Sequence, residues 1–128
     1  MPRKKSAVLT DHELRLMDVL WREGQGTVAD VTAGIAPPPL AYSTVLTTLR
    51  TLEQKGYITH EEDGRAYVYR PLIERGDAAR SALDHVLGRF FGNSAGQLAV
   101  TLLGDAPLSD DELATISQMI ARRKKGAK

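Results

Sequence analysis

The chain has 128 residues, 42% hydrophobic and 26% charged, with a formal net charge of +1, the make-up of an ordinary folded domain with room for one full core or two small ones. It contains no cysteine, which excludes disulfides, thiolate zinc sites, iron–sulfur clusters and cysteine nucleophiles together. No apolar run of membrane-spanning length occurs and the opening residues, Met1-Pro2-Arg3-Lys4-Lys5-Ser6, are polar, so the expectation is a cytoplasmic protein without membrane insertion.

Thr10-Asp11-His12-Glu13 places a threonine three residues before a glutamate, the reciprocal cap that satisfies two orphan amides at a helix start. Leu14, Met17, Leu20 and Trp21 follow at helical spacing until Gly24-Gln25-Gly26, predicting a first helix from Asp11 to Glu23. A second, short helix is expected from Thr27, carrying Val28, Val31 and Ile35 inward before Pro37-Pro38-Pro39 stops it.

Tyr42 to Lys55 reads as a third helix closed by Gly56. Successive residues turn by about 100°, which puts Val45, Leu49 and Leu52 on one stripe with Leu46 at its edge. Ser43, Thr44, Thr47, Arg50, Thr51 and Gln54 fall on the opposite face. Threonine is a poor helix former, and a face chosen for solubility alone would favour Glu, Lys or Ala. Its repeated use implies another purpose.

Two β-rich runs, Tyr57 to Glu61 and Arg65 to Pro71, flank Glu62-Asp63-Gly64, a strong hairpin signal. A lone hairpin is marginal in water and must rest on the helices before it. Three helices followed by a hairpin is the order of a winged helix-turn-helix, whose third helix enters the DNA major groove. Hydroxyls and methyls of Ser and Thr can meet base edges, Arg50 can reach a guanine edge or a phosphate, and the amide ends of helices two and three can face phosphates. Arg65 at the hairpin tip is placed for the DNA backbone, while Glu61, Glu62 and Asp63 argue for a shallow contact. The four tyrosines and Trp21 are expected to pack rather than stack on bases.

Beyond Pro71 the pattern is wholly helical. Leu83, Val86, Leu87, Phe90 and Phe91 share one face; Leu98, Leu102 and Leu103 mark a short helix; and Ser109-Asp110-Asp111-Glu112 caps a last one carrying Leu113, Ile116, Met119 and Ile120. These faces cannot cover one another well, so a two-fold dimer is expected to bury them. The fold class is therefore mainly α with a small β-hairpin, divided into a winged-helix DNA-binding domain, residues 1–72, and a helical dimerisation domain, residues 73–128.

Three features carry no enzyme. Gly24-x-Gly26-x-x-Ala29 resembles a dinucleotide-binding turn but follows a helix rather than a strand, and reads as a helix-helix turn. His12-Glu13 lacks the second histidine of a zinc-protease motif because Leu16 stands there, so no metal is expected. His60 and His85 are isolated, no catalytic residue is assigned, and no cofactor is expected. The charges are spread evenly, and the basic clusters Arg3-Lys4-Lys5 and Arg122-Arg123-Lys124-Lys125 read as solvated tails.

Leu9-Thr10-x-x-Glu13, Leu20-Trp21, Tyr42-Ser43-Thr44-Val45-Leu46-Thr47-Thr48-Leu49, Lys55-Gly56 and Arg65-x-Tyr67-x-Tyr69-x-Pro71 together resemble the penicillinase and methicillin-resistance repressor family (BlaI/MecI type). The resemblance implies a homodimeric repressor on palindromic promoter DNA, with Ser43, Thr44, Thr47, Thr48, Arg50 and Thr51 on the reading helix and Arg65 in the wing. It also implies induction by a membrane sensor metalloprotease that cleaves the dimerisation domain. Thr101-Leu102 stands where the best-known members carry Asn-Phe. Copper-responsive relatives use C-terminal cysteines, which this chain lacks. A winged-helix module that binds protein and a repressor gated by a small molecule remain the alternative readings.

Overall fold

A computed structural model describes residues 8–126; the Arg3-Lys4-Lys5 cluster lies outside them. The element order is α1 (Asp11–Glu23), α2 (Val28–Gly34), α3 (Tyr42–Lys55), β1 (Ile58–Asp63), β2 (Ala66–Pro71), α4 (Arg75–Phe90), α5 (Ala95–Asp105) and α6 (Asp110–Gly126). The fold is thus mainly α with one antiparallel hairpin, a winged helix-turn-helix followed by three further helices. Two compact units are present, Met1–Val86 and Leu87–Lys128.

Local chemistry accounts for the first helix. Thr10 Oγ1 accepts from Glu13 N at 3.1 Å and Glu13 Oε1 accepts from Thr10 N at 2.8 Å. Its inward stripe, however, is centred on Glu13, Leu16, Met17 and Leu20 rather than on Leu14. Leu14 is exposed, because one residue of phase, 100°, carries a side chain from the middle of a buried stripe to its rim. Trp21 is likewise half-buried against the edge of the core, not inside it.

Leu16, Met17, Leu20, Val31, Val45, Leu49, Leu52 and Ile58 are fully buried, each such side chain stabilising the head by about 1.5–3 kcal/mol relative to exposure. α2 is capped by its own reciprocal box, Thr27 with Asp30. The proline-rich connection to α3 is held by Arg15, whose guanidinium donates to the carbonyls of Ala36, at 2.7 Å, and of Pro38. Gly56 ends α3 at φ 89 in the left-handed conformation, which glycine adopts without a Cβ clash.

A buried ion pair fixes α3 against α1. Lys55 Nζ lies 2.8 Å from both oxygens of Glu13, and the two side chains are 18% and 5% exposed. Burial alone would raise the Glu13 pKa. The Lys55 hydrogen bond, the Thr10 amide and the Lys55 charge together outweigh it and hold the carboxyl below its ordinary value. Burial, with the Glu13 charge behind it, pushes the Tyr57 phenol up.

The hairpin turns one residue later than the sequence suggests. Asp63 pairs with Ala66, so the two-residue loop is Gly64-Arg65, with Gly64 at φ 66. A positive φ at the first loop position suits the right-handed strand twist and favours glycine there. Glu62 and Asp63 extend β1 instead of forming the turn. Gly26 adds a single bridge to the sheet, exchanging both backbone hydrogen bonds with Tyr69 at 2.8 and 2.9 Å. The Gly24-Gln25-Gly26 segment is thus both a helix-helix turn and a one-residue third strand.

In the second unit α5 is capped by Ser94, whose Oγ accepts from Gln97 N at 3.0 Å. α6 starts on the Ser109–Glu112 box. Neither helix buries a single side chain. Phe90, Val100, Leu102, Leu103, Leu113, Met119 and Ile120 are exposed, whereas Leu98 and Ile116 are half-buried.

Candidate nucleic-acid interface

The two faces of α3 separate cleanly. Val45, Leu49 and Leu52 are at zero exposure, while Ser43, Thr47, Arg50 and Gln54 are exposed and Thr44, Thr48 and Thr51 half-buried along their flank. Ser43, Thr44, Thr47 and Thr48 line one shallow surface groove of about 250 Å³. Arg50 and Thr51 continue the same surface one turn on.

The hydroxyls divide into two sets. Thr48 Oγ1 donates to the Thr44 carbonyl at 2.8 Å, and Thr51 Oγ1 to that of Thr47 at 3.2 Å. These two spend their protons on their own helix and present lone pairs and methyls outward. Ser43, Thr44 and Thr47 make no side-chain hydrogen bond among the described residues and keep donor and acceptor capacity. Such a surface offers donors, acceptors, methyl groups and one guanidinium, the chemistry of base edges in a major groove.

The starts of α2 and α3 differ from one another. The N-terminus of α3 follows Ala41 and has no side-chain cap, so its first amides face outward at the positive pole of the helix dipole. The start of α2 is already occupied by Thr27 and carries Asp30 in its first turn, which disfavours an anion there.

Beside α3 the hairpin presents His60, Tyr67 and Tyr69 on its inner face. The His60 ring lies 4.4 Å from that of Tyr67 and 5.4 Å from that of Tyr69, and its Nδ1 donates to the Glu53 carboxylate of α3 at 2.7 Å. Burial, followed by the Glu53 charge, raises the Tyr69 phenol. Arg65 is exposed at the tip. Glu61 is paired with Arg70 on the outer face; the Arg70 hydrogen bond and charge hold its carboxyl below the ordinary value.

The tyrosines split in exposure. Tyr57 and Tyr69 are buried, but Tyr42 at the head of α3 and Tyr67 on the wing are 56% and 46% exposed. Strand alternation puts Tyr67 on the same side of the hairpin as Tyr69 and His60. Among the described residues no group of three or more His, Asp or Glu side chains could hold a metal ion, and no helix is long and apolar enough to cross a membrane.

The sequence matches the penicillinase repressor family over residues 9–122. It is 26% identical over 122 residues to the penicillinase repressor of Bacillus licheniformis, covering 94% of this chain and 95% of that protein. An uncharacterized 16.5 kDa protein of Latilactobacillus sakei is 23% identical over 116 residues, 90% of this chain and 80% of that one. Among solved structures, the DNA-binding domain of the repressor BlaI superposes with a TM-score of 0.51 at 30% identity, covering 59% of this chain and 93% of that domain. The YusO protein from Bacillus subtilis superposes with a TM-score of 0.54 at 18% identity, over 93% and 77% of the two chains, a likeness of fold alone.

Proposed function

The chain belongs to the penicillinase repressor family, and from that premise we propose that it is a transcriptional repressor that binds palindromic promoter DNA as a homodimer. The family is one of repressors, not of enzymes. The observation that carries the DNA reading is the outward face of α3, where Ser43, Thr44, Thr47 and Thr48 line one shallow groove and Arg50 stands exposed on the same helix. Thr51 completes the reading surface and Arg65 touches the backbone from the wing. Residues 1–72 are the DNA-binding part and residues 73–128 the dimerisation part.

The dimer reading is supported by apolar side chains that the described chain leaves uncovered. Leu83, Phe90, Leu102, Leu113 and Ile120 are exposed, and Val86, Leu87, Phe91, Leu98 and Ile116 are half-buried. Surfaces of this kind mark protein interfaces. Release is by cleavage at Thr101–Leu102 by a membrane sensor metalloprotease. That bond lies inside α5, with Thr101 Oγ1 donating to the Gln97 carbonyl at 2.9 Å, so α5 must unwind locally before a protease can hold it extended. Intact-mass analysis of the chain from induced cells reads this directly as a fragment ending at Thr101.

Enrichment of genomic duplex fragments on the purified protein tests the central reading: a recovered palindrome supports it, and enrichment of protein alone with no DNA favours a protein-binding module. On that palindrome, Thr44→Ala, Thr47→Ala and Arg50→Ala are expected each to cost about 1–3 kcal/mol of specific binding where a good base contact is lost. Arg65→Ala is expected to weaken all duplexes alike and to make the salt slope shallower by about one. Fluorescence titrations in which the α3 variants match the parent would reject this reading face.

A further inference from the structure

We infer that Asp18, Trp21 and Arg75 form a clasp that sets the direction in which α4 leaves the head, and so the gap between half-sites that a dimer accepts. This deepens the dimer reading above and rests on it. The three residues act as positioning residues; none need touch DNA.

The clasp is built from three contacts that share Trp21 and Arg75. Trp21 Nε1–H donates to the Ile73 carbonyl at 2.8 Å, just before α4 begins. Arg75, the first residue of α4, donates from its guanidinium to Asp18 Oδ1 at 2.8 Å. The same guanidinium lies 4.7 Å from the centroid of the Trp21 ring. Asp18 and Trp21 sit in consecutive turns of α1, so the start of α4 is tied to α1 in both position and rotation.

Apolar packing does little of this. In α4 only Ala78 is buried, and next to it a recess of about 380 Å³ opens among Leu9, Leu14, Ala79 and Ala82. A small side chain beside a recess fixes an angle poorly, since well-defined orientation comes from dense interdigitation. Directional hydrogen bonds and a stacked guanidinium supply it here instead. Arg75 and Asp18 are 59% and 44% exposed, so their pair adds little to stability. Its effect is on orientation.

Orientation matters on a duplex because each added base pair moves a half-site by about 3.4 Å and turns it by roughly 35°. A head held at a fixed angle tolerates few gaps. A head on a loose hinge tolerates several.

The test uses the full chain and the palindrome that the parent enriches from a random duplex pool, rebuilt with gaps one and two base pairs longer and shorter. The parent is expected to discriminate steeply among the gaps. Asp18→Ala, Arg75→Ala and Trp21→Phe are expected to flatten that dependence toward a ratio of one, while binding to a single half-site and the melting temperature of the two surface variants stay near the parent's. The charge-reversed pair Asp18→Arg with Arg75→Asp is expected to restore part of the discrimination. Variants that keep the parent's gap dependence while remaining dimeric overturn the clasp alone. A parent that sediments as a monomer overturns the dimer reading and the clasp with it.

Discussion

Phe90→Asp is expected to convert the protein to monomers and to lower its affinity for a full palindrome by about 10²- to 10⁴-fold, the range of advantage that linking two binding modules confers. Phe90 is 75% exposed, so in an isolated chain the substitution removes little packing, and stability should change by no more than about 0.5 kcal/mol. In a dimer each Phe90 would be covered, and a carboxylate in its place would be desolvated without a partner. The two effects therefore separate: sedimentation and operator binding change together, and the melting temperature of dilute protein does not. Leu87 is half-buried, so Leu87→Glu mixes the two effects and serves as the less clean variant. If Phe90→Asp stays dimeric, or becomes monomeric and binds the palindrome as tightly as the parent, dimerisation through this face is wrong.

Much of the head was legible because its signals are local. Thr10 with Glu13, Thr27 before α2, Gly56 after α3 and Ser109 with Glu112 each act within four residues, and the structure places helix ends at all of them. The split of α3 into a buried Val45-Leu49-Leu52 stripe and a polar face follows from 100° periodicity and holds. Periodicity leaves the phase of a stripe open, which is why α1 buries Leu16 and exposes Leu14. It is silent on pairings across long separations: Glu13 with Lys55 and Gly26 with Tyr69 join segments whose proximity only the packed fold creates. The hairpin register moved by one residue because Asp-Gly can serve as the end of a strand plus a first loop position, and Arg65 completes the loop. Exposed Tyr42 and Tyr67 were hidden by the general tendency of tyrosine to pack.

Breaking the Glu13–Lys55 pair is expected to be the most destabilising polar change in the head, and the two ways of doing it should not cost the same. Lys55→Met leaves a carboxylate that is 5% exposed, while Glu13→Gln leaves an ammonium that is 18% exposed on a flexible stem and can reach water. Removal of one partner from a buried pair costs about 3–5 kcal/mol, a large share of the roughly 5–15 kcal/mol that holds a domain of this size together. Lys55→Met should lie in that range, and Glu13→Gln below it, because the amide oxygen can still accept from the Thr10 amide. Denaturant titration followed by Trp21, the only tryptophan, reads both. The pH dependence distinguishes this account from simple loss of packing. In the parent the Glu13 pKa is held below its ordinary value, so its contribution is complete above the unfolded-state pKa and is lost as pH falls through the lower folded value. Without Lys55 its charge and hydrogen bond are gone, only the Thr10 contacts still oppose burial, and the folded-state pKa of Glu13 rises relative to the parent's. The folded variant therefore takes up a proton at higher pH than the folded parent, so the gap in stability between parent and Lys55→Met should narrow steadily on acidification. A gap that stays constant from neutral pH to the carboxylate range would show that Lys55 acts through its aliphatic stem, and that the charge on Glu13 is not what joins α1 to α3.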